Sequence, residues 1–418
     1  MNPQTPPYQL VIRGPVHDRE PAFAALCAAV GCMWRGYHIV AFETDTLHLN
    51  GPNRQRLRIA LITPALYWGG AERWMLDLAR ATRDRLDWVG CAVDSPLNRD
   101  DTMVEHFRAI MPVFEHGRRA VLEAAVRADV LLAWGAIPLA DLTDGFRGPV
   151  IFTGHGQGAF DRVAVSKAKS GATHFAAVAE AALPPFVAAG IPADQVAVLH
   201  NGIDPDRCRP VRSRDQVRAE LGLQPHHCAV LYLGRMCPEK APALVAAAVA
   251  KLPPRFRAVF VGDGLDLPNQ RAECRRLLGH RALFVDRTEQ IGDYYQAADV
   301  FALASPAEGF SMAMLEAMYC RLPCALTNVG VLPELERAHG RHWEVIPPAQ
   351  PDTAARLAAA IRRIDRMPPA DLAARLDAAH AIVAGHFTSR HLATRWLDYL
   401  ERVVAAPTPV ARAAPAAV

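Results

Sequence analysis

Lysine is nearly missing from this chain. Only Lys167, Lys169, Lys240 and Lys251 occur among 46 cationic residues. Arginine supplies positive charge elsewhere, so a lysine marks a place where a compact ammonium was kept over a planar guanidinium. A surplus of one charge is missing too: 46 cations face 43 acids, a net charge of +3, which gives no support to a nucleic-acid partner. The nine cysteines include no C-x-x-C pair, and the spacings of Cys27 to Cys32 and Cys320 to Cys324 match no zinc template. Free or buried thiols in a reducing compartment are expected. The start, "MNPQTPPYQLVIRG", lacks a basic segment followed by an apolar one, so no signal peptide is expected. No apolar run approaches the roughly 18 residues of a membrane span. These absences predict a cytoplasmic protein. G-x-S-x-G, G-x-x-x-x-G-K-[ST] and H-E-x-x-H are absent as well, which removes the common hydrolase, P-loop and zincin readings.

What is present is length and a regular pattern. With 418 residues, half of them hydrophobic, the chain suits two domains with large cores. Short β-rich runs occupy 56–64, 88–94, 129–135, 150–156, 174–180 and 196–202, separated by alanine- and leucine-rich stretches with helical spacing. Residues 203–227 interrupt the pattern with prolines and charge, reading as a linker. It resumes at 229–235, 258–264, 282–288, 300–305, 323–328 and 343–347. Nearly continuous apolar strands alternating with helices predict parallel sheets covered on both faces, in two similar halves. Ligands of such sheets bind at the carboxyl ends of strands, and two such ends can face one cleft. Residues 8–43 suggest an additional strand–helix–strand, 389–404 a final helix, and the Ala/Pro-rich tail a disordered end.

Candidate chemistry lies at the predicted strand ends. Gly69 and Gly70 separate the first strand from a helix, where free N–H groups and a positive dipole end suit a phosphate; a plain turn is an equal alternative. Arg235 and Lys240 in "GRMCPEK" follow the first strand of the second half and suit a diphosphate; solvated surface charge is the plainer reading. In "SPAEGFSMAMLEAM", Pro306 to Phe310 read as a turn and Ser311 onward as a helix, which leaves Glu308 and the N–H groups around Gly309, Phe310 and Ser311 ready for hydroxyls or an anion. Glu316, alone, reads as an ordinary exposed helix residue about twice as readily as a ligand of hydroxyls such as a ribose's. His155, among three glycines at a strand end, sits where a catalytic-face residue belongs; a buried hydrogen-bonded histidine is at least as good a reading. Its G-x-G-x-G lacks the dinucleotide spacing. Asp204 and Asp206 form a D-x-D with proline between the acids, which reads as a turn rather than a metal site.

In order along the chain, "GGAER", "HNGID", "GRMCPEK", "VGDG", "EGFSMAMLEAM" and "NVGVLPEL" resemble the family 4 retaining glycosyltransferases, over nearly all of residues 57–404. The resemblance implies a GT-B fold: an N-terminal extension (1–56), a Rossmann-like acceptor domain (57–205), a Rossmann-like donor domain (206–388), a crossover helix (389–404) and a tail (405–418). It implies a nucleotide sugar as co-substrate, UDP- or GDP-linked, with no metal and no other cofactor, and a glycan, lipid-linked or small-molecule hydroxyl as acceptor. Glu308 would hold donor sugar hydroxyls, Glu316 the ribose, Arg235 and Lys240 the diphosphate, and Gly70 its phosphates, with His155 near the transferred sugar. Lipid-linked acceptors are common in the family, so peripheral contact with the inner membrane face is a further expectation, although no strongly basic amphipathic helix supports it. Ala241, Arg321 and Val331 stand where the family commonly has glycine. The first two are expected to alter local turns, and Val331 to narrow the approach to the donor. Two alternatives stand beside this reading: a catalytically degenerate scaffold or regulatory subunit, and a GT-B nucleotide-sugar epimerase or hydrolase.

Overall fold

The computed structural model describes residues 9–13, 38–43, 46–50, 56–94, 100–115, 117–264 and 266–405. Three short strands, β1 (Gln9–Arg13), β2 (His38–Glu43) and β3 (Thr46–Asn50), form an antiparallel sheet in the order β1-β3-β2. The third strand was not foreseen. The apolar stretch 22–30 expected as a helix, Cys27, Cys32 and residues 406–418 lie outside the described residues.

Two parallel sheets carry the rest. The first contains β4 (Leu57–Thr63), β5 (Leu86–Val93), β6 (Val113–Glu115), β7 (Val130–Trp134), β8 (Val150–Gly154), β9 (His174–Ala177) and β10 (Val196–Val198). Their order is β10-β9-β8-β7-β4-β5-β6. The second contains β11 (Cys228–Leu233), β12 (Phe256–Val261), β13 (Ala282–Val285), β14 (Val300–Leu303), β15 (Cys324–Thr327) and β16 (Glu344–Ile346), in the order β13-β12-β11-β14-β15-β16. Each sheet begins at its centre, winds outward, then reverses, between β4 and β7 in one and between β11 and β14 in the other. Strand order of this kind opens a crevice at the reversal point, outside the strand carboxyl ends.

The strand runs explain the burial. Ile59 to Ile62 and Val230 to Leu231 are fully inaccessible, as strands covered by helices on both faces must be. β6 escaped the sequence reading because three half-buried residues, Val113 to Glu115, carry too little periodicity. Residues 203–227 are more than a linker. They hold the helix Arg214–Glu220, capped by Ser213 and Gln216, and dock on the second domain, where the buried Asp293 accepts from Val211 N, Arg212 N and Arg212 Nε.

The chain then crosses back. Helix Pro369–His386 packs on helix Met312–Tyr319 of the second domain, and Ser389–Ala405 packs on Gly70–Thr82 of the first. Leu392, Trp396, Tyr399, Leu400 and Val403 join the first domain's core, with the Trp396 ring 5.4 Å from that of Trp74. Backbone bonds from Ile203 N to the Phe387 carbonyl and from Ser389 N to the Ile203 carbonyl tie the two crossing segments together. Gly202 permits that approach, since a Cβ there would lie 2.2 Å from the Thr388 oxygen.

Candidate active site

The carboxyl ends of the two sheets face each other across one cleft, and the strand-end loops line it. On the first domain, β4 leads into the Gly70–Thr82 helix through Gly69, which takes an extended conformation at its N-cap. The Glu72 carboxylate folds to within 2.5 Å of where a Gly69 Cβ would stand. Gly70 is open around its Cα. No acceptor for the N–H groups of Gly70 or Ala71 exists among the described residues, as befits a first helical turn.

β8 ends at Gly154 and delivers His155. Its ring lies edge-on to Trp74 (4.6 Å between centroids) and to Trp134 (5.6 Å). Nε2 is buried and has no hydrogen-bond partner, and the same holds for the indole nitrogens of Trp74 and Trp134 and the Thr153 hydroxyl. Burial pushes the imidazole down to about 3, so it is neutral. The expectation of a hydrogen-bonded ring is therefore not met at Nε2. The adjacent glycines answer to packing: Gly154 lies against Phe186, and Gly156 against Asp161, whose carboxylate accepts from Gly158 N at 2.9 Å.

On the second domain, β11 ends in a loop braced by Tyr232, whose hydroxyl donates to the Arg235 carbonyl at 2.6 Å. The Arg235 side chain is exposed in the cleft. Lys240 Nζ is bonded to Glu308 Oε2, the carboxylate being almost wholly buried and the ammonium about one-quarter exposed. The sequence did not foresee that these two would be partners.

After β14, Gly309 meets the first domain directly: a Cβ there would stand 1.8 Å from the His155 carbonyl oxygen. Among the described residues the N–H groups of Gly309, Phe310 and Ser311 have no protein acceptor. The helix starts at Met312, one residue later than expected, because Ser311 takes a left-handed conformation with φ 79°. Phe310 turns inward against His200 and Phe387, leaving only its backbone to the cleft. Val331 is fully buried in the core, so its isopropyl group does not narrow the cleft; the close approach to Phe310 and Glu308 is made by Gly330.

Glu316 corrects the exposed-residue reading. It is buried, accepting from Arg207 Nη1 at 3.0 Å and from the Tyr295 hydroxyl at 2.9 Å. Arg207 comes from the stretch read as a linker, and burial alone would disfavour its charge, but Glu316 and Asp77 hold it charged. The D-x-D is a turn, as expected: Asp204 Oδ1 accepts from Asp206 N at 3.0 Å, and Oδ2 lies 3.7 Å from Arg73. Among the described residues no group of three His, Cys, Asp or Glu is disposed to hold a metal ion, and the seven described cysteines are free.

Ion pairs bridge the cleft at both ends. Arg287 reaches Asp100 at 2.6 Å and covers the Trp68 ring at 4.8 Å, beside a His106–Glu289 contact at 3.2 Å. At the other end Glu334 accepts from Glu180 N (2.8 Å) and pairs with His200 (2.7 Å), while Arg337 chelates the Glu180 carboxylate.

Residues 227–365 match the family model described as glycosyl transferases group 1. This stretch therefore carries the sequence pattern of the group 1 glycosyl transferases. The two parallel-sheet domains and the crossing helix have the GT-B architecture. Among solved structures, the Anabaena protein HepE in complex with UDP and glucose superimposes with a TM-score of 0.72, at 23% identity, over 83% of this chain and all of that one. Sucrose-phosphate synthase from Thermosynechococcus elongatus gives 0.66 at 20% identity, over 83% and 99%. These likenesses establish the fold. In sequence, a D-inositol 3-phosphate glycosyltransferase of Streptomyces bingchenggensis is 33% identical over 182 residues, 40% of each chain, and one of Streptomyces scabiei is 33% identical over 209 residues, 46% of each. The chain thus matches less than half the length of these curated relatives.

Proposed function

We propose that the protein is a retaining glycosyltransferase that moves a sugar from a nucleotide-diphosphate sugar to a hydroxyl acceptor without a metal ion. The observation that carries this reading is the convergence, in one cleft, of Arg235, the Lys240–Glu308 pair, and unpaired N–H groups from both domains. Breaking the bond between the sugar's anomeric carbon and the diphosphate leaves positive character on the sugar and negative charge on the phosphate. Arg235, Lys240 and the Gly309–Ser311 amides are donors for that departing charge, which is electrostatic stabilisation of the leaving group. Glu308 orients donor hydroxyls, Glu316 the ribose, and Gly69 and Gly70 let phosphate approach the helix start. The acceptor oxygen attacks from the face the diphosphate leaves, and its proton passes to the departing phosphate oxygen. Glu308 therefore positions the sugar and forms no bond to it, unlike the nucleophile of a retaining glycosidase.

Relatives complexed with UDP and with UDP-glucose favour a UDP-sugar as the first donor to test. The experiment is thermal unfolding of the purified protein against UDP, GDP, ADP and dTDP, each with EDTA. A ligand at a hundredfold excess over its Kd adds about 2.7 kcal/mol to native stability. One diphosphate raising the midpoint despite EDTA supports the reading and names the donor class. Silence with all four contradicts it and favours a degenerate scaffold.

A further inference from the structure

Among the described residues, Glu72 is a buried acid at the cleft that this reading leaves without a task. It stands in the first turn of the Gly70–Thr82 helix, only 4% exposed, with its carboxylate folded over Gly69. Among the described residues no cation lies within ion-pair distance of it. On its own helix, Arg73 is turned to Asp77 at 2.9 Å, and Asp204 lies 3.7 Å from Arg73. Arg207, from the segment after β10, is taken by Glu316, and His155, at the end of β8, is neutral. Arg235, from the opposite domain, is the cation whose field reaches Glu72. The carboxylate thus occupies the glycine turn in which the proposed diphosphate would lie, facing the cation proposed to bind it.

We propose that Glu72 binds a proton when a nucleotide-diphosphate sugar enters the cleft, so that donor binding is coupled to uptake of one proton from solvent. The inference rests on the donor site proposed above. A buried carboxylate and a diphosphate sharing one small site repel each other, and the group that can shed its charge is the carboxylate. No bond other than the carboxyl O–H forms or breaks. Burial already raises Glu72 to about 7, with its own backbone N–H and Arg235 pulling the other way, so the proton is available near neutrality. In the empty cleft the ionised carboxylate screens Arg235; once protonated it becomes a donor to a phosphate oxygen.

The test uses the whole chain and its Glu72→Gln variant in two arms. Without ligand, unfolding is followed from pH 4.5 to pH 8. The variant is expected to match the wild type at the acid end and to exceed it increasingly as pH rises; parallel curves overturn the proposal. With ligand, UDP-glucose and GDP-mannose, whose diphosphates do not titrate in this range, are bound calorimetrically at pH 8 in buffers of different ionisation enthalpy. Wild type is expected to take up close to one proton and to bind about tenfold more weakly at pH 8 than at pH 6, as the competent fraction falls. The variant is expected to take up none and to lose the pH dependence. Binding with no proton uptake by wild type overturns the coupling and leaves the transferase reading intact. A pH-dependent stability gap with no binding of either sugar overturns the coupling together with the donor site. Should the variant fail to fold, Glu72→Asp and the wild-type proton count decide alone.

Discussion

At the scale of single residues, the site depends on buried charges whose partners are replaceable one at a time. Lys240→Ala leaves the nearly buried Glu308 carboxylate without its cation. The cost is expected to be on the order of 2 kcal/mol, between the limits for exposed and buried pairs. Glu308→Gln keeps the volume and removes the charge. Both are expected to lower transfer at least about a hundredfold, Lys240→Ala by losing a donor to the departing charge and Glu308→Gln by misplacing the donor sugar; a coupled assay of nucleoside diphosphate release reads this. Glu72 yields a prediction of defined sign. Its folded pKa lies above its ordinary value of 4.5. The native state therefore holds a proton that the unfolded chain has released, and stability falls as pH rises from about 4.5 to about 7. Over that window wild type is expected to lose roughly 3 kcal/mol relative to Glu72→Gln, measured by urea unfolding at fixed pH values.

At the scale of elements, two turns carry strain in residues where glycine would sit without it. Ala241, between Lys240 and the following helix, has φ 50°, and Arg321, after the Met312–Tyr319 helix, has φ 55°. These are two of the positions where the family resemblance pointed to glycine, and both take a left-handed conformation that favours it. A non-glycine residue pays about 1–2 kcal/mol for this conformation. Ala241→Gly and Arg321→Gly are each expected to stabilise the protein by about 1 kcal/mol, roughly 1 °C in Tm by calorimetry for a unit of this size. The second also loses an exposed contact to Asp377, worth little. Ser311, with φ 79°, is strained in the same sense at the edge of the candidate site.

At the scale of the molecule, two domains meet over a cleft closed at its centre by backbone and at its ends by ion pairs. The central contact leaves no room for a side chain at Gly309. Gly309→Ala is therefore expected to hold the cleft open: a larger radius of gyration by small-angle X-ray scattering, unchanged circular dichroism, and weaker nucleotide binding. The final helix makes the domains one unit. Trp396 is fully buried against Trp74, which also flanks His155. Trp396→Ala is expected to cost about 3–5 kcal/mol and to reduce nucleotide affinity with it; unfolding and binding measured on the same preparation check both.

Much of this molecule was legible along the chain. Parallel sheets follow from apolar runs long enough to be buried on both faces, and the cleft follows from loops at their carboxyl ends, since both are local consequences of pattern. The positions of Gly69, Arg235, Lys240, His155 and Glu308 at strand ends were readable for the same reason. Partnerships were not. That Lys240 holds Glu308, that Arg207 and Tyr295 enclose Glu316, and that Glu72 is buried with no cation at ion-pair distance among the described residues are facts about residues 21 to 109 positions apart, or about one residue and its surroundings. Spacing along a strand or helix determines which face a side chain takes. Only packing decides what stands opposite, and in a low-dielectric cleft it is the opposite group that sets whether a carboxylate keeps its charge.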